Sequence, residues 1–229
     1  MSSTAPPRGP RRRAGTATAK VRVVDTVPGR GKRVSLTFDD GPDPVHTPRL
    51  LDVLGAHAVP AVFFVNGEQV DRHPEVVRRI VGAGHVLGNH STRHDDMARW
   101  PPERVEADLR ETHAAIVRAV PDAAVPWFRA PYGAWGGTPV VAAGLGMTSV
   151  GWRLAVTDWE PPGVDELVRR LCDGVRPGAV VLLHDGGGDR GQTVEAVARV
   201  VPLLRARRWR FVLPDGGAGR VGRGSVLTG

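Results

Sequence analysis

Residues 34–42 have the sequence VSLTFDDGP, and this stretch decides how the fold is interpreted. The apolar and β-branched residues from Val34 to Phe38 predict a short buried strand, which Gly41 and Pro42 end by turning the chain. Because successive side chains of a strand point to opposite faces, Asp39 and Asp40 share one direction only where the strand has ended. Two adjacent carboxylates repel each other unless a cation lies between them. The pair therefore indicates a metal site, with an ordinary Asp-Gly turn as the alternative.

Short apolar runs alternate with longer amphipathic segments on the C-terminal side of this stretch. The runs predict strands at Val34–Phe38, Ala61–Val65, His85–Leu87, Pro126–Phe128, Thr148–Trp152, Ala179–Leu183 and Trp209–Leu213. The segments predict helices at Thr47–His57, Pro74–Ala83, Pro101–Ala119, Thr138–Leu145, Val164–Val175 and Thr193–Arg207. This alternation favours an α/β fold with a parallel sheet covered by helices, either closed into a (β/α) barrel or open and doubly wound. No Gly-x-Gly-x-x-Gly follows the first strand, which disfavours a dinucleotide-binding fold.

Charge and composition divide the 229 residues into a folded part and two tails. Residues 1–33 carry nine of the 31 Lys and Arg but one of the 24 acidic residues, so the net charge of +7 belongs to this end. We expect a disordered basic tail over residues 1–31, a folded domain over residues 32–214 and a flexible Gly-rich tail over residues 215–229. No aromatic residue is interleaved with the basic residues of the N-terminal tail, so no nucleic-acid partner is expected.

The cysteine content and the hydropathy pattern exclude several classes of protein. A single cysteine, Cys172, excludes an intramolecular disulfide and a zinc site of several cysteines, and its helical surroundings predict a small core residue. No window holds 18 apolar residues, so no transmembrane segment is predicted. The residues after Arg13 are too polar for the core of a signal peptide, which predicts a cytoplasmic protein. A translation start upstream that encodes an apolar segment would instead predict an extracellular one.

Polar side chains follow five of the predicted strands at the point where each strand ends. In chain order they are Asp39-Asp40, residues 88–94 (GNHSTRH), Arg129 with Tyr132, Asp158 with Trp159, and His184 with Asp185. In folds of this class the functional site collects at the carboxyl ends of the strands. We therefore expect these groups to lie together.

His90 and His94 form a possible metal-binding pair, because one helical turn would place residues four apart on the same face. Together with one aspartate of the pair they give two nitrogens and one oxygen, which leaves positions open for water and substrate. An open site of this kind predicts metal-assisted hydrolysis. The second aspartate is free to act as general base, and Arg129 can hold it ionised. His184 is the natural proton donor, and Asp158 can pair with its imidazole.

These five groups, in this order, resemble the motifs of the polysaccharide deacetylases of carbohydrate esterase family 4, which share the NodB-homology domain. The resemblance covers Lys32 to Pro214, and several motifs in register are far more specific than any one of them. It implies a distorted (β/α) barrel of about seven repeats with a groove across its top.

The resemblance also implies a role for each residue that matches the family's motifs. Asp39 would be the general base held by Arg129, and His184 the general acid supported by Asp158. The metal ligands would be Asp40, His90 and His94. The backbone N–H of Tyr132 would stabilise the oxyanion, and Leu182 and Trp159 would line the pocket for the acetyl methyl group.

The implied activity is a metal-dependent removal of N-acetyl groups from acetamido sugars, such as chitin oligomers or peptidoglycan. Zinc is the expected metal, although cobalt or nickel suits the same ligands. The alternatives are an intracellular deacetylase of a small N-acetylated metabolite or nucleotide sugar, and an O-acetyl esterase of the xylan type. A non-catalytic basic binding protein is a more distant alternative, because a complete set of catalytic groups is present.

Three of the remaining polar residues are interpreted without a catalytic role. His85 is expected to be a surface or packing residue, and Asp185 is expected to orient the backbone after His184. Glu68, which follows the second predicted strand, stays unassigned.

Overall fold

The computed structural model of the chain describes residues 21–217 and 219, and it contains one sheet of eight parallel strands. The strands pair in the order β5-β4-β3-β2-β1-β7-β6, and β8 pairs with the start of β1. Within the described residues the ladder curls without joining β5 to β6, so the distorted barrel predicted from the sequence is confirmed as an incomplete one. The strands are β1 (Arg33–Gly41), β2 (Ala61–Val65), β3 (Val86–Asn89), β4 (Trp127–Phe128), β5 (Thr148–Ser149), β6 (Leu154–Ala155), β7 (Ala179–His184) and β8 (Arg210–Phe211).

Helices cross between the strands and cover the outer face of the sheet, as parallel strands require. They are α1 (His46–Ala56), α2 (Gly67–Arg72), α3 (Pro74–Gly82), α4 (Pro102–Ala119), α5 (Thr138–Gly144), α6 (Val164–Gly174) and α7 (Gly191–Ala206). Their apolar residues recur at helical spacing and are buried, as Leu167 and Leu171 of α6 show. Among the helices that the structure describes, none is long and apolar enough to cross a bilayer.

β1 separates the apolar core from a polar interior. Its Val34, Leu36 and Phe38 pack into the main hydrophobic cluster beneath the helices. The alternate residues Thr37 and Asp39 are also buried, but they point to the other side of the sheet. The fold thus places a buried carboxylate inside the barrel, where it needs a polar partner.

The predicted strands and helices agree with the structure to within a few residues, and the differences concern short elements. The structure contains α2 and β6, which the sequence did not predict. β6 is two residues long, and α2 has one turn and a half, so neither shows a resolvable hydrophobic period.

Residues 24–27 fall within the predicted tail of residues 1–31, but they are hydrogen-bonded to the barrel. The N–H of Val24 donates to the carbonyl of Ser149 at 2.8 Å, and the N–H of Val27 donates to Gly178 at the same distance. Val27 is buried against the barrel. The segment therefore contacts both β5 and the start of β7. Residues 1–20 and most of the predicted tail over residues 215–229 lie outside the described residues.

His85 gives the fold a defined sensitivity to acid. Its imidazole is 4% exposed, packs edge-on against Phe63, and has no hydrogen-bond partner at either ring nitrogen in the described structure. Burial lowers its pKa from 6.5 to about 4. The folded state therefore binds fewer protons than the unfolded state between these values, and stability is lost as the pH falls through this window.

We predict that the native chain loses about 3 kcal/mol of unfolding free energy through His85 as the pH falls, because each pKa unit corresponds to about 1.4 kcal/mol. The variant His85→Leu should not show this loss. Urea denaturation across the window between pH 6.5 and 4 measures the effect. His113→Leu, on the exposed side of α4, is the control and should keep the native pH dependence. An equal acid loss in His85→Leu and the native chain would contradict the prediction.

Candidate active site

The two aspartates share one direction because β1 is bulged, not because it has ended. Asp39 is in register with Phe64 of β2, but the next residue in register is Gly41, so Asp40 is the extra residue. Asp40 has a φ of 72°, in the left-handed region that aspartate tolerates better than most residues. A bulge of this kind redirects a side chain. Asp39 Oδ2 and Asp40 Oδ1 lie 3.6 Å and 3.4 Å from the same atom, Nε2 of His90.

The loop after β7 holds the bulge in place. The N–H groups of Asp185 and Gly186 both donate to the carbonyl of Asp39, at 3.1 Å and 3.3 Å. A Cβ on Gly186 would collide with the carbonyl of Asp40, and one on Gly187 would lie 2.8 Å from Asp40 Oδ2. Only glycine permits this close approach of two backbones. The loop therefore fixes where the Asp40 carboxylate lies.

His90 and His94 meet in a loop, so the predicted helical turn is wrong. His90 directly follows β3, and the residues after it are not helical. Ser91 and His94 have φ values of 69° and 60°, and left-handed residues interrupt a helix. The loop nevertheless places His90 Nε2 and His94 Nε2 at 3.4 Å and 3.3 Å from Asp40 Oδ1.

Asp40, His90 and His94 form a candidate metal site, since one ligand atom of each lies within 4.8 Å of the others. His90 Nδ1 donates to the carbonyl of Arg129 at 2.8 Å, which leaves the lone pair of Nε2 directed at the aspartates. Asp40 Oδ1 is buried and has no hydrogen-bond donor in the described structure. Although burial raises the pKa of Asp40, the neighbouring imidazoles lower it to about 2. Convergent lone pairs on an ionised acid and two histidines fit a divalent cation.

Arg129 orients Asp39 through a buried ion pair. Its guanidinium is fully buried and donates to Asp39 Oδ1 at 2.7 Å and to Thr37 Oγ1 at 2.8 Å. Further donations reach the carbonyls of Val150 and Gly151 at 2.9 Å and 3.0 Å. Oδ1 of Asp39 is thus occupied by Arg129, and Oδ2 is the oxygen that lies near His90. A charged hydrogen bond of this kind holds the carboxylate in one orientation.

His184 and Asp158 form a second buried pair. His184 Nδ1 donates to Asp158 Oδ1 at 2.9 Å, and the N–H of His184 donates to Asp158 Oδ2 at the same distance. Burial lowers the pKa of His184, but the hydrogen bond and charge of Asp158 outweigh burial and raise it. The imidazole therefore keeps its proton to a higher pH than an ordinary histidine, with Nε2 left to interact with a ligand.

These groups open into one cavity of about 410 Å³. Its walls include both aspartates, His184 and both candidate histidine ligands. They also include the three residues expected to bind substrate, which are Tyr132, Trp159 and Leu182. Arg129 and Asp158 lie behind this wall. The structure therefore brings all ten of the predicted site residues together.

The structure adds residues that the sequence did not single out. Thr193 Oγ1 donates to Asp158 Oδ2 at 2.9 Å, and Thr47 Oγ1 donates to the buried Asp185. Trp152 and Gly133 line the cavity. Trp152 ends a predicted strand, so its position could have indicated a site residue. The threonines lie in helices with no motif around them, and no sequence signal identifies them.

The sequence and the fold are both similar to those of known proteins. The family model for polysaccharide deacetylases matches residues 26–150. A chitooligosaccharide deacetylase of Sinorhizobium fredii is 41% identical over 196 residues, which cover 80% of this chain and 91% of that protein. The structure of a peptidoglycan N-acetylglucosamine deacetylase aligns with a TM-score of 0.79 and 32% identity, over 87% of this chain and 94% of that chain.

A pseudoenzyme shares the same fold. The structure of a family 4 carbohydrate esterase pseudoenzyme from Bacillus anthracis aligns with a TM-score of 0.77 and 28% identity, over 83% of this chain and 66% of that chain. Since a protein described as a pseudoenzyme has this fold, the fold alone does not carry activity. The assignment of activity therefore depends on the residues that line the cavity.

We predict that Asp40→Asn and Asp39→Asn differ in metal binding. Asp40→Asn removes a candidate ligand and should weaken zinc binding by about 100-fold or more, because even outer residues of metal sites contribute 10- to 100-fold. Asp39→Asn should bind zinc within about tenfold of the native chain, because Arg129 can still donate to the amide oxygen. Calorimetric titration of each purified variant with zinc measures the difference. Equal losses in the two variants would contradict the separate roles.

Proposed function

We propose, since this chain belongs to the polysaccharide deacetylase family, that it is a hydrolase that removes the N-acetyl group from acetamido sugars. One observation carries the proposal: a candidate metal site, an aspartate held by arginine and a histidine held by aspartate all border one cavity. Family relatives are named for chitooligosaccharides and for the N-acetylglucosamine of peptidoglycan, and both substrates carry the acetamido group.

Asp40, His90 and His94 would hold the metal. Two nitrogens and one oxygen favour zinc, with cobalt and nickel as alternatives that the same ligands accommodate. When bound, a divalent metal at this site polarises the amide carbonyl and lowers the pKa of water.

Asp39 would act as the general base. Its Oδ1 accepts from the buried Arg129, so the proton of the attacking water would pass to Oδ2. Arg129 cannot give up its proton at physiological pH and holds the carboxylate in one orientation. The result is a base that is correctly oriented before substrate binds.

His184 would act as the general acid. Its Nδ1 is fixed on Asp158, so Nε2 would donate a proton to the amine as the C–N bond breaks. Trp159 packs edge-on against the imidazole with ring centroids 5.3 Å apart, which limits rotation of the ring. The raised pKa of His184 keeps this proton available near neutrality.

Tyr132, Leu182 and Trp159 would position the acetyl group. Tyr132 has a φ of 58°, and its backbone N–H would donate to the oxyanion that forms at the carbonyl. Leu182 and Trp159 supply apolar surface in the cavity, which suits a methyl group.

We predict that the chain releases acetate from N-acetylglucosamine oligomers after zinc or cobalt is supplied. Asp39→Asn should lower kcat by about 100-fold or more, since general bases typically contribute 10²- to 10⁴-fold. An enzymatic acetate assay measures both. Asp71→Asn is the matched control, because it alters an exposed aspartate that pairs with Arg118 and does not line the active-site cavity. Its activity should equal that of the native chain.

The same assay separates the proposal from its alternatives. Rates on acetylated xylan and on nucleotide sugars, measured beside those on chitin oligomers, identify the bond and the substrate size. Acetate release that survives both chelation of the metal and Asp39→Asn would overturn the proposed mechanism.

We also predict that Asp158→Asn moves the alkaline limb of the pH–rate profile to lower pH by about one unit or more. A neighbouring opposite charge typically raises the pKa of a histidine by this amount, and His184 must be protonated to act as the acid. Thr193→Val retains the charge of Asp158 and removes one hydrogen bond, so a smaller shift is expected. Profiles of kcat against pH measure both variants. An alkaline limb that does not move in Asp158→Asn would exclude His184 as the acid.

A further inference from the structure

The sheet has an open edge between β5 and β6, and residues 23–27 cross it. In the part of the chain that the structure describes, β5 and β6 do not pair with each other. Instead, Val24 forms a parallel bridge with Val150, and Thr26 forms an antiparallel bridge with Ala179. This segment, which precedes β1, therefore joins the backbone after β5 to the start of β7.

Val23 and Val24 pack tightly against the backbone after β5. The N–H of Val24 donates to the carbonyl of Ser149, and the N–H of Gly151 donates to the carbonyl of Val24, both at 2.8 Å. A Cβ on Gly151 would lie 3.0 Å from Val23 Cγ1, which is closer than an ordinary contact. The absence of a side chain at Gly151 therefore lets the segment approach this closely.

The backbone that Val24 holds is the backbone that orients Arg129. The carbonyls of Val150 and Gly151 accept from the guanidinium at 2.9 Å and 3.0 Å. The same guanidinium donates to Asp39 and to Thr37. Because its five N–H donors form a rigid planar fork, movement of the acceptors on one side turns the donors on the other. The position of Val150 and Gly151 therefore sets the direction in which Arg129 holds Asp39.

We propose that Val23 and Val24 are positioning residues for the catalytic base. They fix the carbonyls to which Arg129 donates, and through Arg129 they keep Asp39 in its reactive orientation. The proposal rests on the proposed function and adds a contact outside the cavity on which turnover depends. Neither valine is among the described residues that line the active-site cavity.

The candidate metal ligands are held by contacts in which Val23 and Val24 take no part. The loop after β7 holds the bulge at Asp40, and His90 Nδ1 donates to the carbonyl of Arg129. The N–H of Arg129 donates to the carbonyl of Asn89 at 3.0 Å, so β3 fixes this stretch of backbone. Loosening the contact of Val24 should therefore lower turnover without weakening zinc binding.

The test compares Val24→Pro with Val27→Pro in the zinc-loaded full chain, with N-acetylglucosamine oligomers as substrate. Each variant removes one backbone N–H that donates at 2.8 Å, but only the N–H of Val24 is bound beside Val150. Val24→Pro should lower kcat about tenfold with native KM, because a small misplacement of a catalytic group slows the reaction. Calorimetric titration should give it a native zinc affinity.

Val27→Pro is the matched control at the other end of the segment. Val27 is buried, so its replacement should cost at least as much thermal stability as Val24→Pro. Its hydrogen-bond partner is Gly178, before β7, and kcat measured well below the melting temperature should be native. A loss of kcat confined to Val24→Pro thus reports the orientation of the site and not the stability of the fold.

A second pair of variants tests the same contact without proline and applies even where a proline variant does not fold. Gly151→Ala places a methyl group against Val23 and should lower kcat. The double variant Gly151→Ala with Val23→Ala removes the crowding atom and should recover most of the native kcat. Recovery would not occur if Gly151→Ala acted on Arg129 directly.

Four results would overturn the positioning role. They are native kcat in Val24→Pro and Gly151→Ala, equal losses of kcat in the two proline variants, weaker zinc binding in Val24→Pro, and no recovery in the double variant. A native chain that binds zinc but releases no acetate would instead overturn the proposed function.

Discussion

The hydrogen bonds of Arg129 are the interaction on which the site depends. One buried guanidinium joins Asp39 and Thr37 of β1 to the backbone after β5, and it lies over the ring of Phe64 at 4.2 Å. It neutralises the carboxylate that β1 places inside the barrel, and the carbonyl of the same residue fixes the His90 ring. Removal of either member of such a buried pair strands the other charge, which typically costs about 3–5 kcal/mol. Arg129 therefore both balances the buried charge of Asp39 and orients the side chains of the site.

The bulge at Asp40 allows the adjacent residues Asp39 and Asp40 to contact different groups of the site. Without it, Asp39 and Asp40 would point to opposite sides of the sheet, and one would be lost to the site. With it, one carboxylate lies against Arg129 and the other lies between two histidines. The glycines after His184 make room for this turn, so residues from β1 and β7 depend on each other. A strained backbone at a functional site is kept in place by such surrounding contacts.

Much of the fold and of the site followed from local patterns. The alternation of strands and helices predicted a parallel sheet, and the polar groups after five strands predicted where the site lies, because parallel strands end at one edge. The helical turn between His90 and His94 was wrong, since left-handed residues in a loop can bring two side chains together without a helix. Thr193 carries no motif, and only the packing of α7 places it beside Asp158.

The sequence by itself determined the elements, their parallel arrangement and the chemical types at the strand ends, because burial and periodicity are properties of short stretches. It also determined the family, through motifs that keep their order along the chain. Only the tertiary structure decided which oxygen of Asp39 is occupied and how Asp40 turns. These features arise between residues distant in the chain, and their distances and hydrogen bonds exist only when the sheet and its loops have packed.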